Sequence, residues 1–209
     1  MLRDIRNNYQ KYKLEEKSLD NNPLSLFNEW LNQAISEKVV EPTVVVLSTV
    51  QQGFPDSRVV LLKELTAEGF VFFTNYRSKK GEQIQNNSNV SLNFFWAEME
   101  RQVRVKGIAE KIDSVQSEDY FKTRPRDSQL GACASNQSME VESREKLERQ
   151  FEDCEKKFDG KTIPMPAHWG GYIVKPFEIE FWQGRSSRMH DRVLFFQDEG
   201  KWRFKRLQP

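Results

Sequence analysis

The sequence predicts a mainly β protein with flanking helices, built on an antiparallel sheet or barrel rather than a doubly wound fold. The first observation is a series of short segments, rich in β-branched and aromatic residues and separated by turn residues. The second is that helical spacing of apolar residues is confined to a few stretches between them. The predicted strands cover residues 43–50, 58–63, 70–74, 90–96, 102–108, 171–174, 177–182, 192–196 and 202–206.

Four stretches have the caps or the spacing of helices. Asn22 and Pro23 open an amphipathic helix over residues 23–37. Ser78 can cap a second helix, Asp113 opens a third over 113–123, and a charged helix covers about 139–158. Residues 51–55 are expected to join two strands as a hairpin connection. Residues 1–20 are polar, which predicts a flexible N-terminal arm ahead of a single domain at 21–209.

The bulk properties exclude several classes of protein. The 209 residues carry 32 Lys and Arg against 31 Asp and Glu, so no strong field favours nucleic acid or an anionic membrane. No apolar run approaches the ~20 residues of a membrane-spanning helix, and the first residues lack the apolar core of a signal peptide. Cys133 and Cys154 do not make a disulfide framework. We therefore expect a cytoplasmic protein.

The segment from Arg58 to Lys63 is a short apolar run with a cation at each end. Four apolar residues in a row are typical of a strand that is buried on both faces. The two cations would lie roughly 17 Å apart, because a strand rises about 3.3 Å per residue. They could hold two separate anions, or they could be solvated charges at the ends of a core strand.

Other cations and polar groups have a functional and an ordinary interpretation. Lys79 and Lys80 follow a predicted helix start, which is either an anion site or a solvated helix end. The segment Arg188-Met189-His190, taken as extended, would point Arg188 and His190 the same way, or it is a basic hairpin turn. Trp182 could be core, and Gln102 could face water. The sequence has no Cys/His cluster for a metal, no dinucleotide fingerprint and no P-loop, so any chemistry should belong to a bound organic cofactor.

Taken in order, a set of motifs resembles the FMN-dependent pyridoxine/pyridoxamine 5′-phosphate oxidase family, over about residues 23–209. Each motif is weak alone, and the set in register is specific. The motifs are Arg58–Lys63, Phe73-Thr74-Asn75, Ser78-Lys79-Lys80, Glu100-Arg101-Gln102-Val103, Arg124-Pro125-Arg126-Asp127-Ser128-Gln129, Trp169-Gly170-Gly171, Phe181-Trp182-Gln183-Gly184, Arg188-Met189-His190-Asp191-Arg192 and Arg206-Leu207-Gln208-Pro209.

The resemblance implies an FMN-binding split β-barrel of antiparallel, Greek-key-like topology, and a homodimer with FMN at the subunit interface. It implies FMN contacts from Arg58, Val59, Val60, Leu61, Leu62, Lys63, Phe73, Thr74, Lys79, Lys80, Gln102, Gln137, Ser138, Trp182 and Arg192. It implies substrate contacts from Lys63, Tyr120, Arg124, Ser128, Arg188, Met189 and His190, of which Arg188 and His190 would be catalytic. Phe73 stands where the family often has Tyr, and Arg77 where it commonly has a small residue.

The activity that the resemblance implies is oxidation of pyridoxamine or pyridoxine 5′-phosphate by O₂ to pyridoxal 5′-phosphate and H₂O₂, with ammonia from the amine. Hydride would pass from C4′ of the substrate to N5 of the flavin. One alternative is a non-catalytic carrier of flavin or pyridoxal phosphate on the same fold. Another is a flavin reductase with a nicotinamide donor, in which the motifs around Arg124 and Arg188 are not expected.

Overall fold

The computed structural model describes residues 1–4 and 7–209 and has one nine-stranded antiparallel sheet. The strands run in the order β2-β1-β5-β6-β7-β4-β3, and β8 pairs with β7 and with β9. This architecture confirms the mainly β prediction. The strands are β1 (Val44–Gln51), β2 (Phe54–Leu61), β3 (Glu64–Leu65), β4 (Phe70–Asn75), β5 (Asn89–Trp96), β6 (Arg101–Lys111), β7 (Trp169–Gln183), β8 (Asp191–Asp198) and β9 (Lys201–Arg206).

The described residues form five α-helices around the sheet, and four of them begin at a side-chain cap that the sequence supplies. The side chain of Asn22 accepts a hydrogen bond from Leu24 N, and that of Asp113 accepts one from Val115 N. These bonds satisfy N–H groups that a helix end otherwise leaves free. The helices are α1 (Pro23–Ser36), α2 (Lys79–Asn86), α3 (Ser114–Thr123), α4 (Arg126–Ala134) and α5 (Arg144–Lys157).

Aromatic side chains form the core where α1 packs against the sheet. The ring centroid of Phe27, which is fully buried, lies 4.8 Å from those of Phe70 and Phe94. Trp30, one turn later on α1, meets Phe181 of β7 edge to face at 5.2 Å. Such edge-to-face pairs add to the free energy gained by burying apolar area. The high aromatic content is therefore used to join one helix to several strands.

The expectation that residues 58–63 form a doubly buried strand is wrong. The strand β2 starts at Phe54 after a two-residue turn and ends at Leu61, so Lys63 lies outside it. Val59 is 60% exposed and Leu61 is 39% exposed. The reason is that β2 lies at one end of the strand order and pairs only with β1. An apolar edge strand is left for another surface to cover.

Two other boundaries differ from the prediction. The predicted strands 171–174 and 177–182 are one strand, β7, which runs through Pro176. The proline is tolerated because it faces a register shift at Lys106/Gly107 and lies between the segments of β7 that pair with β4 and β8. The sequence reasoning also missed α4, because Pro125 looked like a break. Its carbonyl instead accepts hydrogen bonds from the N–H groups of Ser128 and Gln129 and opens the helix.

The fourth predicted helix is shorter than expected. It begins at Arg144 rather than 139, since the side chain of Ser143 caps it by accepting from Lys146 N. Cys154 lies on the partly buried face of this helix, and the helix has no fully buried residue. The helix therefore covers a satellite cluster rather than the main core.

Part of the predicted N-terminal arm contacts the body of the protein. The N–H groups of Gln10 and Lys11 donate to Glu100 Oε2 at 2.8 and 3.0 Å. The guanidinium of Arg101 lies 4.6 Å from the ring centroid of Tyr12 and 4.3 Å from that of Trp30. The predicted flexibility of residues 1–20 stays a prediction, and residues 5 and 6 lie outside the described residues. Within the described part of the chain, no helix combines the length and apolar character needed to cross a bilayer.

Candidate active site

A cleft of about 840 Å³ lies between β2, β4, α3 and α4. Its walls combine apolar side chains with hydroxyls and cations. This lining contains many of the residues that the sequence pointed to. They are Val59, Val60, Leu61, Lys63, Phe73, Thr74, Lys80, Tyr120, Arg124, Ser128 and Gln137.

A first cationic group lies where α2 begins, beside β2. The guanidinium of Arg58 donates from Nη1 to Thr49 Oγ1 at 2.7 Å and from Nη2 to Gln83 Oε1 at 2.8 Å. Both partners are buried, with side chains that bond each other at 2.6 Å. The direction of the Arg58 side chain is therefore fixed by the core of the sheet and by α2.

Lys79 and Lys80, the first two residues of α2, lie on either side of this group. Lys79 Nζ lies 3.1 Å from Asp56 Oδ2, and the same carboxylate oxygen lies 3.1 Å from Arg58 Nη2. The hydrogen bond from Gln83 and then that from Lys79 lower the pKa of Asp56 to about 2, so it stays charged. Lys80 instead donates to oxygens of Ser78 and Gln137, and burial, then the nearby charge of Arg58, lowers its pKa.

A second cationic group lies across the cleft at the junction of α3 and α4. The guanidinium of Arg124 lies 4.7 Å from the ring centroid of Trp169, and burial lowers its pKa. Its Nη1 is buried and has no hydrogen-bond partner among the described residues. Tyr120 on α3 stacks on Phe73 of β4 at 3.9 Å. A buried cationic donor without an acceptor is costly, which is the condition that an anionic ligand would relieve.

Another part of the predicted site lies on β6, β7 and β8, outside the lining of the cleft. Trp182 of β7 pairs with Gln102 of β6 on one side and with Arg192 of β8 on the other. The three residues therefore occupy neighbouring positions across the strands. The ring centroids of Trp182 and His190 are 4.7 Å apart. Arg192 Nε donates to Glu180 Oε1 at 2.8 Å. We call Gln102, Trp182, His190 and Arg192 the ring group.

The segment before β8 is a tight turn, which agrees with the second of the two interpretations, a basic turn, rather than with an extended segment. Ser187 and Arg188 have φ angles of 56° and 61°, which reverse the chain and leave Arg188 exposed. His190 Nδ1 accepts a hydrogen bond from Arg185 N at 3.1 Å, so the neutral ring carries its proton on Nε2. Burial and, after it, the charge of Arg188 lower the pKa of His190.

The His190 ring lies beside two aromatic rings. The ring of Tyr9 is 5.9 Å away, in addition to that of Trp182. The next residue, Asp191, accepts from Arg185 Nη1 at 2.7 Å and from Arg206 Nη1 at 2.8 Å. The turn that carries His190 is therefore tied to β9 through Asp191.

The other predicted site residues have varied surroundings. The side chain of Leu62 is only 4% exposed and belongs to the core, so a ligand could meet only its backbone. Ser138 is exposed, with a φ of 74°, and Met189 is 66% exposed. The sequence reasoning did not find Asp56, whose position two residues before Arg58 puts it on the same face of β2. Nor did it find the role of Gln83, because a buried glutamine on a polar helix gives no distinctive pattern.

The residues present fit a phosphorylated flavin. Arg58, Lys79 and Lys80 are three cations against the one carboxylate of Asp56, which leaves charge for a phosphate. The exposed apolar side chains of β2 adjoin them and suit a flat ring. The unpartnered Nη1 of Arg124 provides for a second anion on the other wall.

The family comparisons agree along the whole chain. The profile of the pyridoxamine 5′-phosphate oxidase family matches residues 31–158, and that of the pyridoxine 5′-phosphate oxidase C-terminal dimerisation region matches 169–209. The pyridoxine/pyridoxamine 5′-phosphate oxidase of Leptospira biflexa is 51% identical over 209 residues, covering 100% of this chain and 99% of that protein. That of Teredinibacter turnerae is 52% identical with the same coverage.

Solved structures agree on the fold. PhzG from Burkholderia lata, in complex with tetrahydrophenazine-1-carboxylic acid, superposes with a TM-score of 0.91 at 27% identity, covering 97% of this chain and 100% of that one. A pyridoxamine 5′-phosphate oxidase-related, FMN binding protein from Nostoc punctiforme gives a TM-score of 0.72 at 18% identity, covering 95% and 100%. The predicted split barrel is confirmed, and from the profiles and the relatives the chain belongs to the pyridoxamine 5′-phosphate oxidase family.

Proposed function

We propose that this protein oxidises pyridoxamine 5′-phosphate or pyridoxine 5′-phosphate with O₂ to pyridoxal 5′-phosphate and H₂O₂, releasing ammonia from the amine. The cofactor is FMN and the working unit is a homodimer. The observation that carries the proposal is one cleft lined by cations from separate elements, namely Lys80 of α2, which has Arg58 as a charged neighbour, and Arg124 at the junction of α3 and α4. Such a cleft suits two phosphorylated molecules, a flavin and a small substrate.

The two groups have different tasks in this proposal. Arg58 and Lys80 hold the FMN phosphate, since Arg58 is fixed by buried partners and Lys80 faces the cleft. Arg124, with Lys63, Tyr120 and Ser128, holds the substrate phosphate. Binding the phosphate uses free energy from a part of the substrate that does not react to orient the carbon that does.

The ring group completes the site from the other subunit. Trp182, His190 and Arg192 belong to the region that matches the family's dimerisation profile, residues 169–209. On one chain they lie outside the cleft, and the apolar edge of β2 is uncovered. A second copy that covers this edge would bring its ring group over the flavin, so both chains contribute to each site.

Bound FMN supplies the redox chemistry, accepting hydride at N5 and passing the electrons to O₂. The exposed guanidinium of Arg188 would hold the substrate against the flavin and stabilise charge in the transition state. The neutral His190 offers its Nε2–H to a ring substituent, because Nδ1 is already engaged by Arg185 N–H. The rings of Tyr9 and Trp182 lie beside that imidazole. The compartment that we propose for this reaction is the cytoplasm.

The test is anaerobic absorbance of the purified protein. A yellow protein should bleach with pyridoxamine 5′-phosphate and recover in air, with pyridoxal 5′-phosphate appearing. A yellow protein that does not bleach would contradict the oxidase and indicate the carrier, or the reductase if NADH or NADPH bleaches it. A protein that takes up no FMN would overturn the cofactor assignment as well.

A further inference from the structure

The carboxylate of Asp56 lies among the cations that would receive the FMN phosphate, which is an unusual place for an acid. Its Oδ2 is 3.1 Å from Arg58 Nη2, 3.1 Å from Lys79 Nζ and 3.0 Å from Gln83 Nε2. No part of the redox chemistry above needs a negative charge there. A carboxylate and a phosphate oxygen seek the same partners, namely Arg and Lys donors.

The donors of Arg58 are almost fully used within the chain. Nη1 donates to Thr49 Oγ1 and, at 3.4 Å, to Leu47 O. Nη2 donates to Gln83 Oε1 and faces Asp56. Among the residues that the structure describes, the Nε–H is the donor of this guanidinium that has no partner. A phosphate that takes more than one hydrogen bond from this guanidinium must compete with a partner that it already has, and Asp56 is the charged one.

The balance of charge leads to the same conclusion. Arg58 and Lys79 are close enough to share one carboxylate oxygen, and burial, then the charge of Arg58, lowers the pKa of Lys80. Without a counter-ion, these cations would repel one another in a partly buried place. Asp56 therefore stabilises this group of cations in the flavin-free protein.

We propose that Asp56 is an internal counter-ion that competes with the FMN phosphate for Arg58 and Lys79, so that it weakens FMN binding and stabilises the flavin-free protein. This inference rests on the proposed function, since it assumes FMN in the cleft. Asp56 is not the sole partner of Arg58, because Thr49 and Gln83 also accept hydrogen bonds from the guanidinium, and Gln83 itself donates to Asp56. Removing the charge of Asp56 leaves the cation of Arg58 in place, whereas substituting Arg58 removes that cation.

The test is Asp56→Asn, with FMN and riboflavin titrated separately into flavin-free protein by flavin fluorescence. The variant should bind FMN about tenfold more tightly, a change of about 1.4 kcal/mol. Its affinity for riboflavin, which lacks the phosphate, should not change. The melting temperature of the flavin-free variant should lie below that of the flavin-free wild type. The increase in melting temperature that FMN causes should be larger in the variant than in the wild type.

A matched control is Glu82→Gln, which removes one negative charge from the first turn of α2 at an exposed side chain. It should change FMN affinity by less than about twofold, because long-range charge effects at the surface are screened. Weaker or equal FMN binding by Asp56→Asn would overturn the inference and make Asp56 a structural partner of Arg58. An equal increase in the affinity of this variant for FMN and for riboflavin would also overturn the inference. A wild type that binds no FMN would instead contradict the proposed function.

Discussion

The cleft and the ring group differ in how their charges are satisfied. In the cleft, Arg124 keeps a buried donor without a partner, and Lys80 has only neutral oxygens as partners. In and beside the ring group, Arg192 is paired with Glu180, and Arg185 with Asp191. The cleft is therefore incomplete without anions, whereas the ring group is a rigid, internally neutralised surface.

This difference indicates how the site is divided between subunits. A chain can build a phosphate site alone, from helix ends and cations that lie close together in its own fold. A surface that faces the flavin ring must keep its side chains in fixed positions. Here the ring group lies on and beside three paired strands, β6, β7 and β8. The exposed apolar side chains of Val59 (60%) and Phe95 (57%) are then surfaces left for the second subunit.

The largest effect should come from Arg188→Leu. We expect kcat to fall on the order of 100-fold, because the variant loses a cation that stabilises charge in the transition state. FMN affinity should change little, since we propose that Arg188 contacts the substrate rather than the flavin. Stopped-flow bleaching and FMN titration would measure the two quantities. Arg203→Leu, which removes a cation paired with Asp198 on β9, is the control. A variant that simply loses flavin would show that Arg188 has been given the wrong role.

Mixed dimers would test directly whether each active site is built from both subunits. One chain would carry Arg188→Leu and the other Arg124→Ala, with different tags so that only the heterodimer is purified. If each site uses the cleft of one chain and the turn of the other, one site is doubly defective and the other intact. The heterodimer should then recover about half of the wild-type rate. A rate as low as that of the parent variants would mean that each chain serves its own cleft.

A smaller effect is expected for Arg124→Ala, which removes the cation stacked on Trp169. KM for pyridoxamine 5′-phosphate should rise roughly 10- to 100-fold, because a charge-assisted hydrogen bond contributes about 1.5–3 kcal/mol. FMN affinity should not change. Arg126→Ala is the matched control, since the Arg126 guanidinium donates to the carbonyls of Phe158 and Lys161 instead. An unchanged KM would remove Arg124 from the phosphate site.

The sequence predicted the elements that depend on local chemistry. The helix from Pro23 and the caps at Asn22, Ser78 and Asp113 follow from hydrogen bonds within a few residues, and the structure contains each of them. It failed where tertiary context decides. Pro176 stays inside a strand only because a register shift lies opposite, and no local pattern reveals that shift.

The candidate site shows the same limit. The motif order pointed to Arg58, Lys80 and Arg124, of which Lys80 and Arg124 line one cleft, but it did not reveal that Asp56 is bound to Arg58 and Lys79. Burial of the apolar residues after Arg58 was predicted from their composition, whereas their exposure depends on β2 being an edge strand. Edge position is a property of the whole sheet, so only the folded topology determines it.

The smallest effect concerns the protonation of His190. Burial and the charge of Arg188 lower its pKa below the ordinary 6.5, so the ring is neutral at pH 7. As the pH falls through that lowered pKa, Nδ1 gains a proton and can no longer accept from Arg185 N–H.

The acid limb of kcat/KM should therefore lie below pH 6.5. In Arg188→Leu it should move upward, because the repelling charge is gone while burial remains. The chain has only two histidines, so NMR titration with His168→Gln as the assignment control would measure the pKa directly. An acid limb above pH 6.5 that tracks His190 would mean that a negative ligand charge stabilises the imidazolium, and His190 would then act as a cation rather than as a neutral donor.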